Sequence, residues 1–413
     1  MDDEGLDEIS EIDVFATLCC HSEEHAMREK KQHILVLTYW PFKEALIQSY
    51  TLPYLRRIRN VCGKDTIITL VTLERTVSSP EFISEEIHHL PIQSDLFNFK
   101  KVWKWFFIIR TLAAFSKKNS VTHLHAWCMP GAVMAWRVSK LTGLQFIIDS
   151  YEPHAEAMVE NGTWKRSSFR YKFLFYLEKK VSREAYKLIA ISPFMQEYAK
   201  AKYGIERHME IKPACTELDL FKPEHEKKND TITCVYAGKL GGIYFEDEVF
   251  HFVRECAEHW GSKFRFLLLG NYTDSYITDR CKATGCPQSV IEHTFVPHSE
   301  IPSWIAKATF GLTPVKPVPT KKCCSPIKDG EYWASGLPVV ITKNISIDSD
   351  LIKENQCGAV LEDMSPDSIK NALRTLDALF VEDQSLRAER CRKLAENYRN
   401  YSIAENIYRG IYS

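Results

Sequence analysis

Short apolar runs that alternate with segments of helical spacing constrain the fold of this chain more than any other feature. Residues 33–38, with Ile34-Leu35-Val36-Leu37 inside, suit a strand buried on both faces, and residues 47–58 follow with helical periodicity. Further strands are expected at 66–73, 121–126, 146–149 and 188–192, with helices such as 103–115 and 132–142 between them. Such alternation implies a parallel sheet covered by helices on both sides, with ligands at the carboxyl ends of its strands. After the first strand stands Tyr39-Trp40-Pro41-Phe42-Lys43 rather than Gly-x-Gly-x-x-Gly, so no dinucleotide is expected in this half.

A second alternation follows a connection at 213–230, which contains Phe221-Lys222-Pro223 and a charged run. Its strands are expected at 231–236, 264–269, 291–296, 310–313, 339–342 and 358–361, and helical segments at 366–380 and 386–412 close the chain. Residues 1–31 are charged and mostly aperiodic, which reads as a flexible acidic leader. The organisation expected is therefore a leader at 1–31, a Rossmann-like domain at 32–212, a linker at 213–230, a second Rossmann-like domain at 231–394 and a terminal helix at 395–413.

A chain of 413 residues can bury two such cores. Its formal net charge of −1 gives no global field for nucleic acid, so no nucleic-acid partner is expected. The 13 cysteines are an odd number and include the neighbours Cys19-Cys20 and Cys323-Cys324, which fits a reducing cytoplasm better than a disulfide scaffold. Met1 to Glu11 is acid-rich where a secretory signal would be basic and then apolar, and no run of about 20 apolar residues is present. Cys281 and Cys286 lack a second pair or spaced histidines, so no metal site is expected.

The chemistry concentrates in Lys322-Cys-Cys-Ser-Pro-Ile-Lys-Asp-Gly-Glu-Tyr-Trp-Ala-Ser-Gly-Leu-Pro-Val-Val-Ile341. Ser325 followed by Pro326 reads as a helix start, with the hydroxyl as cap and proline at the first helical position. Gly336 then offers the left-handed conformation that ends a helix. Lys328 and Glu331 lie three apart, on one face near the positive end of the dipole. A phosphate is the usual occupant of such an end, and the carboxylate of Glu331 suits sugar hydroxyls. A solvated Lys/Glu pair fits the spacing equally well.

The pattern Pro326-x-Lys328-x-x-Glu331-Tyr332-x-Ala334-x-Gly336-x-Pro338-Val339-Val340 resembles the donor-site signature of the retaining family 4 glycosyltransferases, in the subgroup with a Pro-x-Lys-x-x-Glu-Tyr form. The resemblance implies the GT-B fold, an α/β architecture of two Rossmann-like domains facing across a cleft, with the last helix crossing back onto the first domain. It also implies that Glu331 binds the nucleotide ribose and that neither a metal nor another cofactor is required. The family often has a second Glu eight residues earlier, near the donor sugar; Cys323 stands there instead.

Two further stretches carry candidates. Gly238-Lys239-Leu240-Gly241-Gly242 follows the first strand of the second half, where glycines let backbone approach a phosphate. In the family a cation at the place of Lys239 reaches the diphosphate; the usual second lysine is missing, with Tyr244 or Phe245 near its place, and Lys328 is expected to supply that charge. Asp149-Ser150-Tyr151-Glu152-Pro153-His154 ends a buried strand, and the family places a histidine or an acid on this loop near the sugar and acceptor, here His154 and Glu152. Basic and aromatic residues interleave at 97–118 and again at 164–187, a mixture that covers a sheet or lies in a membrane interface.

The expected activity is retaining transfer of a sugar from a nucleotide-sugar donor to a hydroxyl of a glycan or lipid-linked acceptor, in the cytoplasm or on the inner face of a membrane. Gly238, Lys239, Ser325, Pro326, Lys328 and Glu331 are expected to hold the donor, with His154 and Glu152 opposite them. A nucleotide-sugar epimerase, or a binding protein without turnover, fits the same residues; Cys323 and the missing lysine favour the latter.

Overall fold

The computed structural model describes residues 32–75, 82–84, 87–94, 102–223 and 230–412. The leader at 1–31, the start of the first aromatic and basic stretch at 97–101 and the charged run at 224–229 lie outside the described residues.

The first half is an eight-stranded sheet of β1 (His33–Leu37), β2 (Ile67–Glu74), β3 (Phe82–Ser84), β4 (Ile87–Gln93), β5 (His123–Trp127), β6 (Phe146–Tyr151), β7 (Lys187–Ala190) and β8 (Glu210–Ile211). Their order is β3-β4-β2-β1-β5-β6-β7-β8, with every described pairing parallel except β3 to β4. The strands alternate their side chains between two buried faces. Leu35, Leu37, Leu124 and Ile148 pack with residues of the helices Val102–Lys118, Cys128–Thr142 and Phe169–Glu184. Ile34, Val36, Ile68 and Ile147 pack on the other face with Leu52–Cys62 and with Tyr401, Ala404, Tyr408, Ile411 and Tyr412 of the helix Tyr401–Tyr412.

The second half is a six-stranded parallel sheet of β9 (Ile232–Ala237), β10 (Phe264–Leu269), β11 (Ile291–Thr294), β12 (Phe310–Thr313), β13 (Val339–Thr342) and β14 (Gly358–Leu361), in the order β11-β10-β9-β12-β13-β14. Strand order reverses between β1 and β5 in the first sheet and between β9 and β12 in the second. Crevices for ligands open at such reversals. The loop at 238–242 leaves β9 at that point.

The helical segment expected at 386–412 is two helices, Gln384–Tyr398 and Tyr401–Tyr412. The break comes from tertiary pairing. Thr216 of the connection bonds through its N–H to the Arg399 carbonyl at 2.8 Å, and the Arg399 guanidinium reaches Asp348 and Ser325. The second of these helices packs against the first half.

Candidate functional site

The turn after β9 is shaped by its own tyrosines. The Tyr272 hydroxyl donates to the Gly238 carbonyl at 2.7 Å and accepts from the Leu240 N–H at 2.8 Å, while the Tyr236 hydroxyl donates to the Lys239 carbonyl at 2.8 Å. Lys239 is left with an exposed side chain. Gly238 has φ +136°, and a Cβ there would stand 2.9 Å from Lys328 Cε and 3.1 Å from its Nζ. The absence of a side chain at 238 is what admits Lys328. Its ammonium donates to the Tyr244 hydroxyl at 3.2 Å and lies 4.4 Å from the Tyr244 ring centroid. Tyr244, one of the two residues near the place of the missing lysine, thus holds Lys328, and the structure brings Gly238 and Lys328 together beside Lys239.

The helix Ile327–Ala334 begins one residue later than the sequence suggests. Pro326 is the cap residue, with extended backbone, and no side chain caps the helix. Ser325 does not perform that role: its Oγ accepts from the Ala214 N–H at 3.0 Å and from Arg399 Nη1 at 2.6 Å. The helix end follows expectation, with Gly336 at φ +73°. Gly330 sits mid-helix for a packing reason, since a Cβ there would meet Thr216 Oγ1 at 2.6 Å.

Glu331 corrects a second expectation. The position is 8% exposed, not an open helix face. Its carboxylate lies 3.7 Å from His298 Nε2. Hydrogen bonding to Glu331 raises the His298 imidazole above its ordinary value, against the effect of burial. His298 belongs to no pattern in the sequence, and reasoning from motifs missed it.

Beneath the helix lies a buried polar chain. Thr313 donates to Asp329, and Arg399 pairs with Asp348. Burial and the adjacent Asp348 carboxylate hold the Asp329 carboxyl well above the usual carboxylate range.

In the first half, His154 opens the helix His154–Glu160, and its ring meets Tyr39 edge-on at 6.2 Å between centroids. Burial lowers the basicity of His154; Glu152 opposes that effect and Lys321 reinforces it. Glu152 of the first half and Lys321 of the second thus both act on the His154 imidazole. The helix carrying His154 is tied at its start by Glu178, whose Oε1 accepts from the Ala155 N–H at 2.7 Å and whose Oε2 accepts from the Tyr203 hydroxyl at 2.7 Å. Glu178 is fully buried, and burial outweighs these donors and pushes its carboxyl up to about 8.

The strand end before this loop is fixed more deeply. Asp149 Oδ1 lies 2.9 Å from Lys212 Nζ, both fully buried, and Asp149 Oδ2 accepts from the Tyr408 hydroxyl at 2.8 Å. The Lys212 ammonium stands 3.5 Å from the Tyr54 ring centroid and 4.8 Å from that of Trp127. Burial alone would raise Asp149, yet Lys212 and His125 hold it well below the usual carboxylate range.

The loop Pro319–Cys323 joins the two halves. Glu160 accepts from the Thr320 N–H at 3.1 Å and from its hydroxyl, and Ser192 Oγ donates to the Lys322 carbonyl at 2.7 Å. Cys323, in the place of the family's earlier Glu, packs into the core of the first half, and burial pushes its thiol up to about 12.

Residues 231–378 match the family model described as glycosyl transferases group 1. The chain is similar in structure to sucrose-phosphate synthase from Thermosynechococcus elongatus, at 13% identity and TM-score 0.71 over 92% of this chain and 99% of that one. It is also similar to WaaG, a glycosyltransferase involved in lipopolysaccharide biosynthesis, at 14% identity and TM-score 0.67 over 91% and 98%. HepE of Anabaena in complex with UDP and glucose aligns at 12% identity and TM-score 0.65 over 92% and 99%. A search of curated proteins finds no match. Residues 231–378 thus match a group 1 glycosyl transferase model, within a chain whose two halves have the GT-B fold.

Proposed function

We propose that the protein transfers a sugar, with retention, from a nucleoside diphosphate donor to an acceptor hydroxyl, in the manner of the family 4 enzymes of the Pro-x-Lys-x-x-Glu-Tyr form. The observation that carries this reading is Lys328 seated against Gly238 at the strand-order reversal, beside the exposed Lys239. As the glycosidic C–O bond breaks, charge develops on the departing diphosphate. We assign that charge to Lys239, to Lys328, which the bare Gly238 admits, and to the N–H groups that open the helix after Ser325-Pro326. Preorganised donors of this kind are worth about 3 kcal/mol each, roughly a hundredfold in rate. Glu331, oriented by His298, receives the ribose hydroxyls. His154 and Glu152 face the sugar and the incoming hydroxyl from the first half, and no metal is required.

The acceptor is a glycan or a lipid-linked glycan, and the enzyme meets it on the inner face of a membrane. Phe106 and Phe107 on the helix Val102–Lys118, and Phe169, Phe173 and Tyr176 on the helix Phe169–Glu184, are exposed, Phe169 by 75%. Arg110, Arg170, Lys172, Lys179 and Lys180 accompany them on the same helices. Among the described residues no helix is long and apolar enough to cross a membrane.

The test is calorimetry and turnover with a panel of nucleotide sugars, in EDTA, with and without glycan acceptors. Transfer, interconversion of the donor, or binding alone separates a transferase from an epimerase and from a non-catalytic binder. Glu331→Ala is expected to weaken nucleotide binding, whereas His154→Ala is expected to slow transfer far more than it weakens nucleotide affinity. Loss of nucleotide affinity in His154→Ala as steep as its loss of rate would show that the catalytic face has been misplaced.

A further inference from the structure

Lys328 is seated on aromatic rings rather than paired with an acid. Its ammonium lies 4.4 Å from the Tyr244 ring centroid and 5.3 Å from that of Tyr236, and the two rings meet edge-on at 6.0 Å. Among the described residues it forms no ion pair, and its hydrogen bond runs to the Tyr244 hydroxyl at 3.2 Å. Two of its three N–H groups therefore remain for a ligand. Aromatic faces attract an ammonium without neutralising it as a carboxylate would.

An ammonium has no lone pair to offer, so Tyr244 is the acceptor in this bond and its own O–H is left to donate. Among the described residues nothing accepts from it. The Tyr244 side chain is half-buried, so its hydroxyl is not sealed into the core. The backbone beneath it is fixed: the Tyr244 N–H bonds to the Gly241 carbonyl at 3.1 Å, and the Phe245 N–H bonds to the Pro314 carbonyl at 2.9 Å. Tyr244 also bridges to Val315, just beyond β12. The loop leaving β9 is thereby pinned to the loop leaving β12, across the reversal of strand order at which a ligand crevice opens.

We propose that the Tyr244 hydroxyl is itself a ligand of the donor diphosphate, donating to a phosphate group that Lys328 also binds. A neutral donor and a seated cation then form the subsite for which the resembled family uses a second lysine. This rests on the nucleotide-sugar reading above. Tyr244 makes and breaks no covalent bond and keeps its proton. A hydrogen bond from a hydroxyl to an ionised phosphate is worth about tenfold to a hundredfold in affinity.

The full-length protein is titrated by calorimetry with UDP, GDP and ADP, and uridine, guanosine or adenosine, matching the diphosphate that binds, is measured by competition. Tyr244→Phe keeps the ring beside Lys328 and removes only the hydroxyl. It is expected to weaken the nucleoside diphosphate about tenfold or more and to leave the nucleoside unchanged, with the thermal melt of wild type. A double-mutant cycle with Lys328→Gln then separates direct contact from positioning. In the Lys328→Gln background, Tyr244→Phe is expected to weaken the diphosphate again. The proposal is overturned if Tyr244→Phe binds the diphosphate as tightly as wild type, or if it weakens the nucleoside equally. It is also overturned if loss of the hydroxyl costs nothing once Lys328 is gone, for Tyr244 would then only aim the lysine. If wild type binds none of the three diphosphates, the nucleotide-sugar reading fails and this subsite falls with it.

Discussion

Glu178→Gln tests how burial sets the charge at the base of the His154 helix. Two donors, the Ala155 N–H and the Tyr203 hydroxyl, favour the carboxylate, while complete burial favours the neutral acid and prevails, at about 8. In the unfolded chain the group titrates at its ordinary value of about 4.5. Between these values the native state keeps a proton that the unfolded state has released. Stability from this group is therefore fully present below about pH 4.5 and declines by about 1.4 kcal/mol per pH unit until the native carboxyl ionises near pH 8. The whole span is about 5 kcal/mol. Glutamine keeps the shape and an acceptor for the Ala155 N–H but cannot ionise. The assay is urea unfolding of wild type and Glu178→Gln at pH 5.5, 6.5 and 7.5, monitored by a probe in the first half. The variant is expected to gain relative stability at each step, by about 1 kcal/mol per unit. Because other titrating groups are common to both proteins, the difference isolates position 178. If the two stabilities run parallel across this range, Glu178 is ionised in the native state, and the claim that burial outweighs its two donors is wrong.

Gly238→Ala should cost about 1–3 kcal/mol of local strain and displace Lys328, weakening nucleoside diphosphate binding about tenfold or more; calorimetry showing unchanged affinity would remove Lys328 from the diphosphate. The protein should sediment with vesicles containing anionic lipid and not with neutral ones. Phe169→Ser with Phe173→Ser should reduce that binding, and equal sedimentation of wild type and variant would place the membrane contact elsewhere.

Much of the second sheet is legible from sequence. The runs at 264–269, 310–313, 339–342 and 358–361 coincide with strands residue for residue, because strands buried on both faces are continuous apolar runs bounded by turns. β4 was not legible: Pro91 and the histidines at 88 and 89 interrupt its apolar pattern, and it forms by pairing along β2 from Ile68 to Glu74. The break at 399–400 was equally hidden, since neither Arg399 nor Asn400 stops a helix by itself. In the site, Gly238, Lys239, Lys328, Glu331 and His154 could be marked because they sit at strand ends or in a motif. His298 could not, for it meets Glu331 only once the second half has folded. The burial of Glu331 was missed for the same reason, because helical spacing reports a face but not what covers it.

The helix Tyr401–Tyr412 has a consequence for how the protein comes into being. It follows the second half along the chain, yet Tyr401, Tyr408, Ile411 and Tyr412 belong to the core of the first half, and the Tyr408 hydroxyl is one of the groups that satisfy Asp149. While the first half emerges from the ribosome, one face of its sheet lacks its final cover, and the buried Asp149–Lys212 pair lacks part of its surroundings. The first half can reach its native core only after the second has been synthesised. Completion of the Asp149 strand end in the first half is thereby coupled to the presence of the second half.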